Sequence, residues 1–138
     1  MRRGKRRKAV KRIVRHLFIL FFFLSSIAAA DYSGYQSLSV NIRKDLAKEA
    51  LRTAYITGMM AGYTPGYYNI EKGNIHFYKK EGYGPLRASF YMEITLDAAA
   101  DQQMLKMRGK DENKSGYEYQ VLYDMERIAD AVKKCCGF

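Results

Sequence analysis

Residues 86–96 alternate without a break. Ala88, Phe90, Met92, Ile94 and Leu96 fall on one side of an extended chain; Arg87, Ser89, Tyr91, Glu93 and Thr95 fall on the other. Successive side chains of a strand point to opposite faces. The segment therefore has one apolar face and one polar face, the pattern of a half-buried antiparallel strand. Such a strand needs antiparallel neighbours and a layer over its apolar face; helices elsewhere in the chain would supply that layer in an α+β fold.

The neighbours are legible on both sides. Tyr63-Thr64-Pro65-Gly66 reads as a turn, residues 67–70 and 75–80 as a hairpin around Glu71-Lys72-Gly73-Asn74, and Gly82-Tyr83-Gly84-Pro85 as the next turn. Ile75 and Phe77 must share the apolar face of Phe90 and Met92, so the connecting loop needs an even number of residues. A four-residue loop at 82–85 predicts Phe77 opposite Phe90, Ile75 opposite Met92, His76 opposite Tyr91, Tyr78 opposite Ser89 and Lys80 opposite Arg87.

Helices are expected at either end. After an irregular stretch at 31–40, Asn41 offers an N-cap. Ile42, Leu46, Ala47, Ala50, Leu51 and Ala54 then share one face at 100° per residue, opposite Lys44, Asp45, Lys48, Glu49 and Arg52. Tyr55, Ile56 and Met59 make the last turn apolar all round, which points first to burial in the domain and second to a partner, and Gly62 suits the C′ position. Residues 97–109 admit two readings, a helix capped by Asp97 or a strand. The alternation of Tyr117, Tyr119, Val121 and Tyr123 favours a hairpin with residues 103–108. Asp124 then caps a final helix with the stripe Met125, Ile128, Ala129 and Val132, and Lys133 and Lys134 at its negative end. The expected architecture is an N-terminal helix, an antiparallel meander of four or five strands and a C-terminal helix, with both helices on one face of the sheet.

The charge is concentrated at the front. Nine of the 24 basic residues and none of the 14 acidic ones precede Asp31, so the formal net charge of +10 falls to +1 beyond it. The basic run to Arg15 is followed by eight large apolar residues, Leu17–Leu24, and by Ala28-Ala29-Ala30. That is the tripartite form of a secretory signal peptide, with removal expected after Ala30. The 14 residues of 17–30 fall short of the roughly 20 that a spanning helix needs. The expectation is a periplasmic or secreted single domain, residues 31–138; the alternative is a protein anchored by an uncleaved leader and facing the non-cytoplasmic side. A nucleic-acid partner is excluded in this reading, because the basic excess leaves with the leader.

Few side chains beyond the leader offer chemistry. His76 is the one histidine there, beside Tyr78, Tyr91 and Glu93 on an outward face. An acid–base pair would also require a nucleophile or a pocket, so a solvated histidine is the simpler reading. No catalytic set, metal-ligand spacing or phosphate loop appears, and neither cofactor nor metal is expected. Cys135-Cys136 in an exported chain suggests a disulfide. Adjacent side chains diverge by about 100° on a helix, which leaves three outcomes: a vicinal bridge where the helix ends, a homodimer bridged through Cys135 or Cys136, or two reduced thiols. All 12 tyrosines follow residue 30 and tryptophan is absent. Tyr63, Tyr67, Tyr68 and Tyr83 cluster at two turns, and Tyr78 and Tyr91 join His76 on the polar strand face. Tyrosine combines a large contact area with few rotors and a polar tip, though strand tyrosines also arise from propensity alone. These residues are the candidate surface for a partner, a protein first and a glycan second. The expected function is a non-enzymatic exported binding domain. The alternatives are a membrane-tethered structural subunit, or a small hydrolase or thiol enzyme using His76 or the cysteine pair.

Overall fold

A computed structural model describes residues 34–83, 87–99 and 102–138. The leader, its Ala28–Ala30 end and part of the 82–85 turn lie outside these residues. The described residues form five antiparallel strands and two α-helices. They are β1 (Gln36–Ile42), α1 (Ala47–Met60) after a 3-10 turn at Lys44–Leu46, β2 (Thr64–Asn69), β3 (Asn74–Glu81), β4 (Ala88–Ala99), β5 (Gln102–Asp111) and α2 (Glu118–Cys136). The sheet order is β1-β5-β4-β3-β2. Strands β2 to β5 form the expected meander, while β1 joins at the far edge beside β5. No described helix is long and apolar enough to cross a membrane.

β1 replaces the irregular stretch expected at 31–40. Leu38, Val40 and Ile42 alternate with Ser37, Ser39 and Asn41, and the latter three are exposed. Ile42 fits a strand period and a helix period equally well, and the ladder takes it. Asn41 pairs with Met104 instead of capping a helix, and α1 starts after Leu46 without a side-chain cap. Its buried residues are Ala50, Leu51, Ala54 and Gly58. A Cβ on Gly58 would collide with the ring of Phe77, so this glycine brings helix and sheet into close approach. The apolar last turn is not buried as expected: Ile56, Met59 and Met60 are exposed, while Tyr55 stacks on Tyr68. The helix ends with Gly62 at φ 95°, where the left-handed region favours glycine.

The β3–β4 register is slipped by two residues from the expected one. Phe77 faces Met92, Ile75 faces Ile94, His76 faces Glu93 and Tyr78 faces Tyr91. The parity argument holds, because the connection now covers the six residues 82–87, again an even number. The longer loop removes the like-charge pairing of Lys80 with Arg87, and Lys80 faces Ser89 instead. β2 also begins earlier than expected and takes in Thr64-Pro65-Gly66. Proline is tolerated there because β2 is an edge strand and its pairing is bulged between Pro65 and Tyr67.

Residues 118–123 are helical, not a strand, and Tyr117 precedes the first turn. β5 pairs with β4 and β1 along its length, which leaves no place for a further hairpin partner. Val121 extends the buried stripe Met125, Ile128, Ala129, Val132 and Cys136 by one more turn. That stripe wins over the tyrosine alternation because it buries apolar surface. Val121 and Met125 close over Gly109 of β5, where a Cβ would meet both Val121 and the Tyr91 carbonyl. Asp97 lies within β4, so it caps no helix.

Asp111 organises the link from β5 to α2. Its carboxylate accepts the amides of Asn113 (3.2 Å), Ser115 (2.9 Å) and Tyr117 (3.2 Å), and the Ser115 hydroxyl. Burial alone would raise its pKa, but these hydrogen bonds outweigh burial and hold the carboxyl below its ordinary value. A depressed carboxyl stabilises the fold above its unfolded pKa of about 3.9 and loses that contribution as pH falls through the folded value. Asp111→Asn should therefore lower urea stability more at pH 7 than at pH 3. An equal loss at both pH values would show that the charge contributes nothing.

Candidate functional site: the outer face of the sheet

Register and burial separate the two faces of the sheet. One face carries Val40, Leu105, Met107, Met92, Ile94, Ile75 and Phe77, all buried. The other carries side chains open to solvent to varying degrees: Tyr67 on β2, His76 and Tyr78 on β3, Tyr91, Glu93, Thr95 and Asp97 on β4, and Lys106, Arg108 and Lys110 on β5.

Two halves of this outer face differ in character. Across β2, β3 and β4 the aromatic rings form a chain. Tyr67 lies 5.7 Å from His76, His76 lies 5.9 Å from Tyr91, and Tyr91 lies 5.3 Å from Tyr78, centroid to centroid. Partial burial, then the Glu93 charge, raise the Tyr91 hydroxyl above the usual tyrosine value. Toward β5 and β1 the face is charged. Glu93 contacts His76 Nε2 at 3.6 Å and Arg108 Nε at 3.9 Å, and Asp97 pairs with Lys106. Arg108 and Lys110 also lie over the Tyr35 ring, at 4.0 and 4.9 Å. A hollow of about 420 Å³ opens here, floored by β4 and β5 and flanked by Ser37 and Ser39.

The candidate tyrosines divide into two groups. Tyr67, Tyr78 and Tyr91 come together with His76 on the outer face. Tyr63, Tyr68 and Tyr83 do not join them. Tyr63 is buried at 3% exposure, and its hydroxyl donates to Asp124 Oδ2 at 3.0 Å. It is a core residue, not a surface contact. Tyr68 turns toward α1 and stacks on Tyr55 at 4.2 Å. Tyr83 is 95% exposed in the turn after β3. The residues sequence reasoning missed are Tyr35, Arg108 and Lys106. For Lys106 and Arg108 the signal was a strand period over 102–111 that puts them on one face with Lys110; that period carries no sign of Tyr35.

Asp124 is likewise not a cap but a buried polar centre. It accepts from Tyr63 and from Gln120 Nε2 (3.2 Å), and it faces Lys79 Nζ at 3.4 Å. Lys79 also contacts Glu81 at 2.6 Å and lies over the Tyr63 ring. Burial first, and then the Asp124 charge, push the Tyr63 hydroxyl far above its ordinary pKa.

The cysteines are joined to each other. Cys135 and Cys136 form a vicinal disulfide at the last turn of α2, which takes up both thiols. The Thr53 hydroxyl lies 3.4 Å from the Cys135 sulfur, and the Cys136 carbonyl accepts the Arg43 amide at 2.8 Å. The two residues thus tie the end of α2 to Thr53 within α1 and to Arg43 just after β1. Among the described residues no three His, Cys, Asp or Glu side chains are grouped to hold a metal ion. What the outer face offers chemically is ring contact, paired charges and hydroxyls on an open surface.

No family model matches the sequence, and no curated protein matches it. Among solved structures the chain is similar to DynU16, a protein of the dynemicin biosynthetic locus, at a TM-score of 0.38 and 11% identity. That match covers 75% of this chain and 49% of DynU16, so the chain spans about half its length. It is also similar to Ara h 8.0201, at a TM-score of 0.39 and 10% identity over 72% of this chain and 94% of that one. Similarities this slight carry no functional inference.

Proposed function

We propose that this chain is an exported, non-enzymatic binding domain that holds a partner protein against the outer face of its sheet. In this reading both helices cover the apolar side, and the ring-bearing side is left for the partner. The observation that carries it is the chain of rings Tyr67–His76–Tyr91–Tyr78 across three strands, with Tyr67 and Tyr78 more than 40% exposed. Rings already held by one another lose little entropy on contact, and tyrosine is enriched among residues that dominate interface energetics. Export rests on the basic leader and its apolar run.

The test uses cells of the source organism. A photo-cross-linker at position 80, beside the rings, should trap a partner. Tyr67→Ala, Tyr78→Ala and Tyr91→Ala together should reduce the trapped amount at least tenfold, since one dominant contact alone is worth about 2 kcal/mol. Tyr123→Ala, exposed on α2, should leave it unchanged. Equal trapping by the triple variant would show that the outer face is not the site. An intact mass starting at Asp31 supports export with cleavage, and a mass starting at Met1 removes it.

A further inference from the structure

β1 is an edge strand that lacks the usual shields. Natural sheet edges are blunted by lysine, proline, bulges or short length. The opposite edge, β2, has Pro65 and a bulge. β1 is seven residues, QSLSVNI, with no charge, proline or glycine. Its pairing with β5 runs unbroken from Gln36–Gly109 to Ile42–Gln103. Among the described residues, its ladder groups on the side away from β5 have no backbone partner.

We propose that β1 pairs antiparallel with β1 of a second copy of this chain, so that two five-stranded sheets become one continuous sheet about a two-fold axis. The strand's own pattern selects this occupant. In an antiparallel pair, directly opposite residues share a face, so a strand can pair with itself only when opposite residue numbers sum to an even value. The sum 78 alone uses all seven residues. It sets Ser39 on the axis opposite itself, Ser37 opposite Asn41, Leu38 opposite Val40 and Gln36 opposite Ile42. The outer-face pairs are hydroxyls and amides, and on the core face Leu38 and Val40 bring apolar side chains together while Gln36 meets Ile42. No charge meets its like. Leu38, the β1 apolar residue left partly exposed, gains cover. Phe138 adds apolar surface at the same edge: the Cys136–Arg43 bond sets the end of α2 beside the end of β1, and Phe138 is 94% exposed. Such an interface is isologous and closes on itself. A strand pair is small against the about 1,200 Å² of a tight interface, so dimerisation depends on concentration.

The test uses protein purified from cells expressing the whole sequence. Sedimentation equilibrium over about a hundredfold in concentration should show a monomer passing to a dimer. On the proposed axis the two Ser39 Cβ atoms stand about 5 Å apart, whereas the two Ser37 Cβ atoms are separated by about 14 Å along the strands. Mild oxidation should therefore give a covalent dimer with Ser39→Cys and little with Ser37→Cys. Ser39→Pro removes an amide donor from the edge and should stay monomeric with an unchanged far-UV CD spectrum. If that variant is unfolded, Ser39→Arg, which sets like charges on the axis, takes its place. A monomer at every concentration overturns the proposal. So does a dimer that survives the folded position-39 variant, or equal cross-linking at positions 37 and 39.

Discussion

Asp124→Ala is expected to cost the domain about 3 kcal/mol, read as a fall in urea midpoint with unchanged slope. Asp124 is 3% exposed, and its carboxylate holds Tyr63, Gln120 and Lys79 at once. Alanine leaves the Tyr63 hydroxyl buried with no acceptor and takes one of two carboxylates from Lys79, whose side chain is 9% exposed. A buried donor stripped of its partner loses more than the net value of the bond, because its desolvation is no longer offset. Against a total stability of about 5–15 kcal/mol, that is a large fraction. Two milder variants separate the contributions. Tyr63→Phe keeps the ring under Lys79 and removes only the hydroxyl, so it should cost about 1 kcal/mol. Asp124→Asn keeps an acceptor but not the charge, and should fall between the two. If Asp124→Ala costs no more than Tyr63→Phe, the ion pair with Lys79 contributes nothing to the fold.

Phe77→Ala should be at least as damaging, about 3–5 kcal/mol. Its side chain is fully buried at the meeting of β3, α1 and the Tyr63 turn, in ring contact with Tyr55 and Tyr63. Gly58 lies so close to the ring that the two positions cannot be independent. Gly58→Ala alone should destabilise by about 1–3 kcal/mol, since the added methyl overpacks the ring. In a Phe77→Leu background the methyl finds space, and alanine's better helix propensity, about 1 kcal/mol over glycine, should make the same change neutral or stabilising. A thermodynamic cycle of the four proteins reads the coupling directly. Simple additivity would mean that helix and ring relax apart without cost.

Much of the outer face could be seen in the amino-acid order. The alternation of 86–96 put Tyr91 and Glu93 outward, and the shorter alternation of 75–80 did the same for His76 and Tyr78. Tyr63 could not be placed in that way. Its neighbours mark a turn, and turns are ordinarily wet, but its acceptor Asp124 lies 61 positions later. β1 was hidden because Ile42 satisfies two periods and the residues before it are mostly serine and other polar types. The 117–123 segment was misjudged because alternating tyrosines imitate a strand, whereas the decisive stripe begins at Val121 and is recognisable only once Gly109 is known to lie beneath it.

By itself, the order of residues determined that there is an antiparallel sheet with one wet face, that amphipathic helices accompany it, and which parity its hairpins obey. These are local properties, set by how neighbouring side chains project from a strand or helix. The tertiary structure decided the register within that parity, the edge that β1 joins, and the burial of Tyr63 and Asp124. A slip of two residues returns every side chain to the same face, so periodicity is blind to it. Only contacts between distant segments distinguish the alternatives: His76 against Glu93, Lys80 kept from Arg87, and Lys79 brought to Asp124.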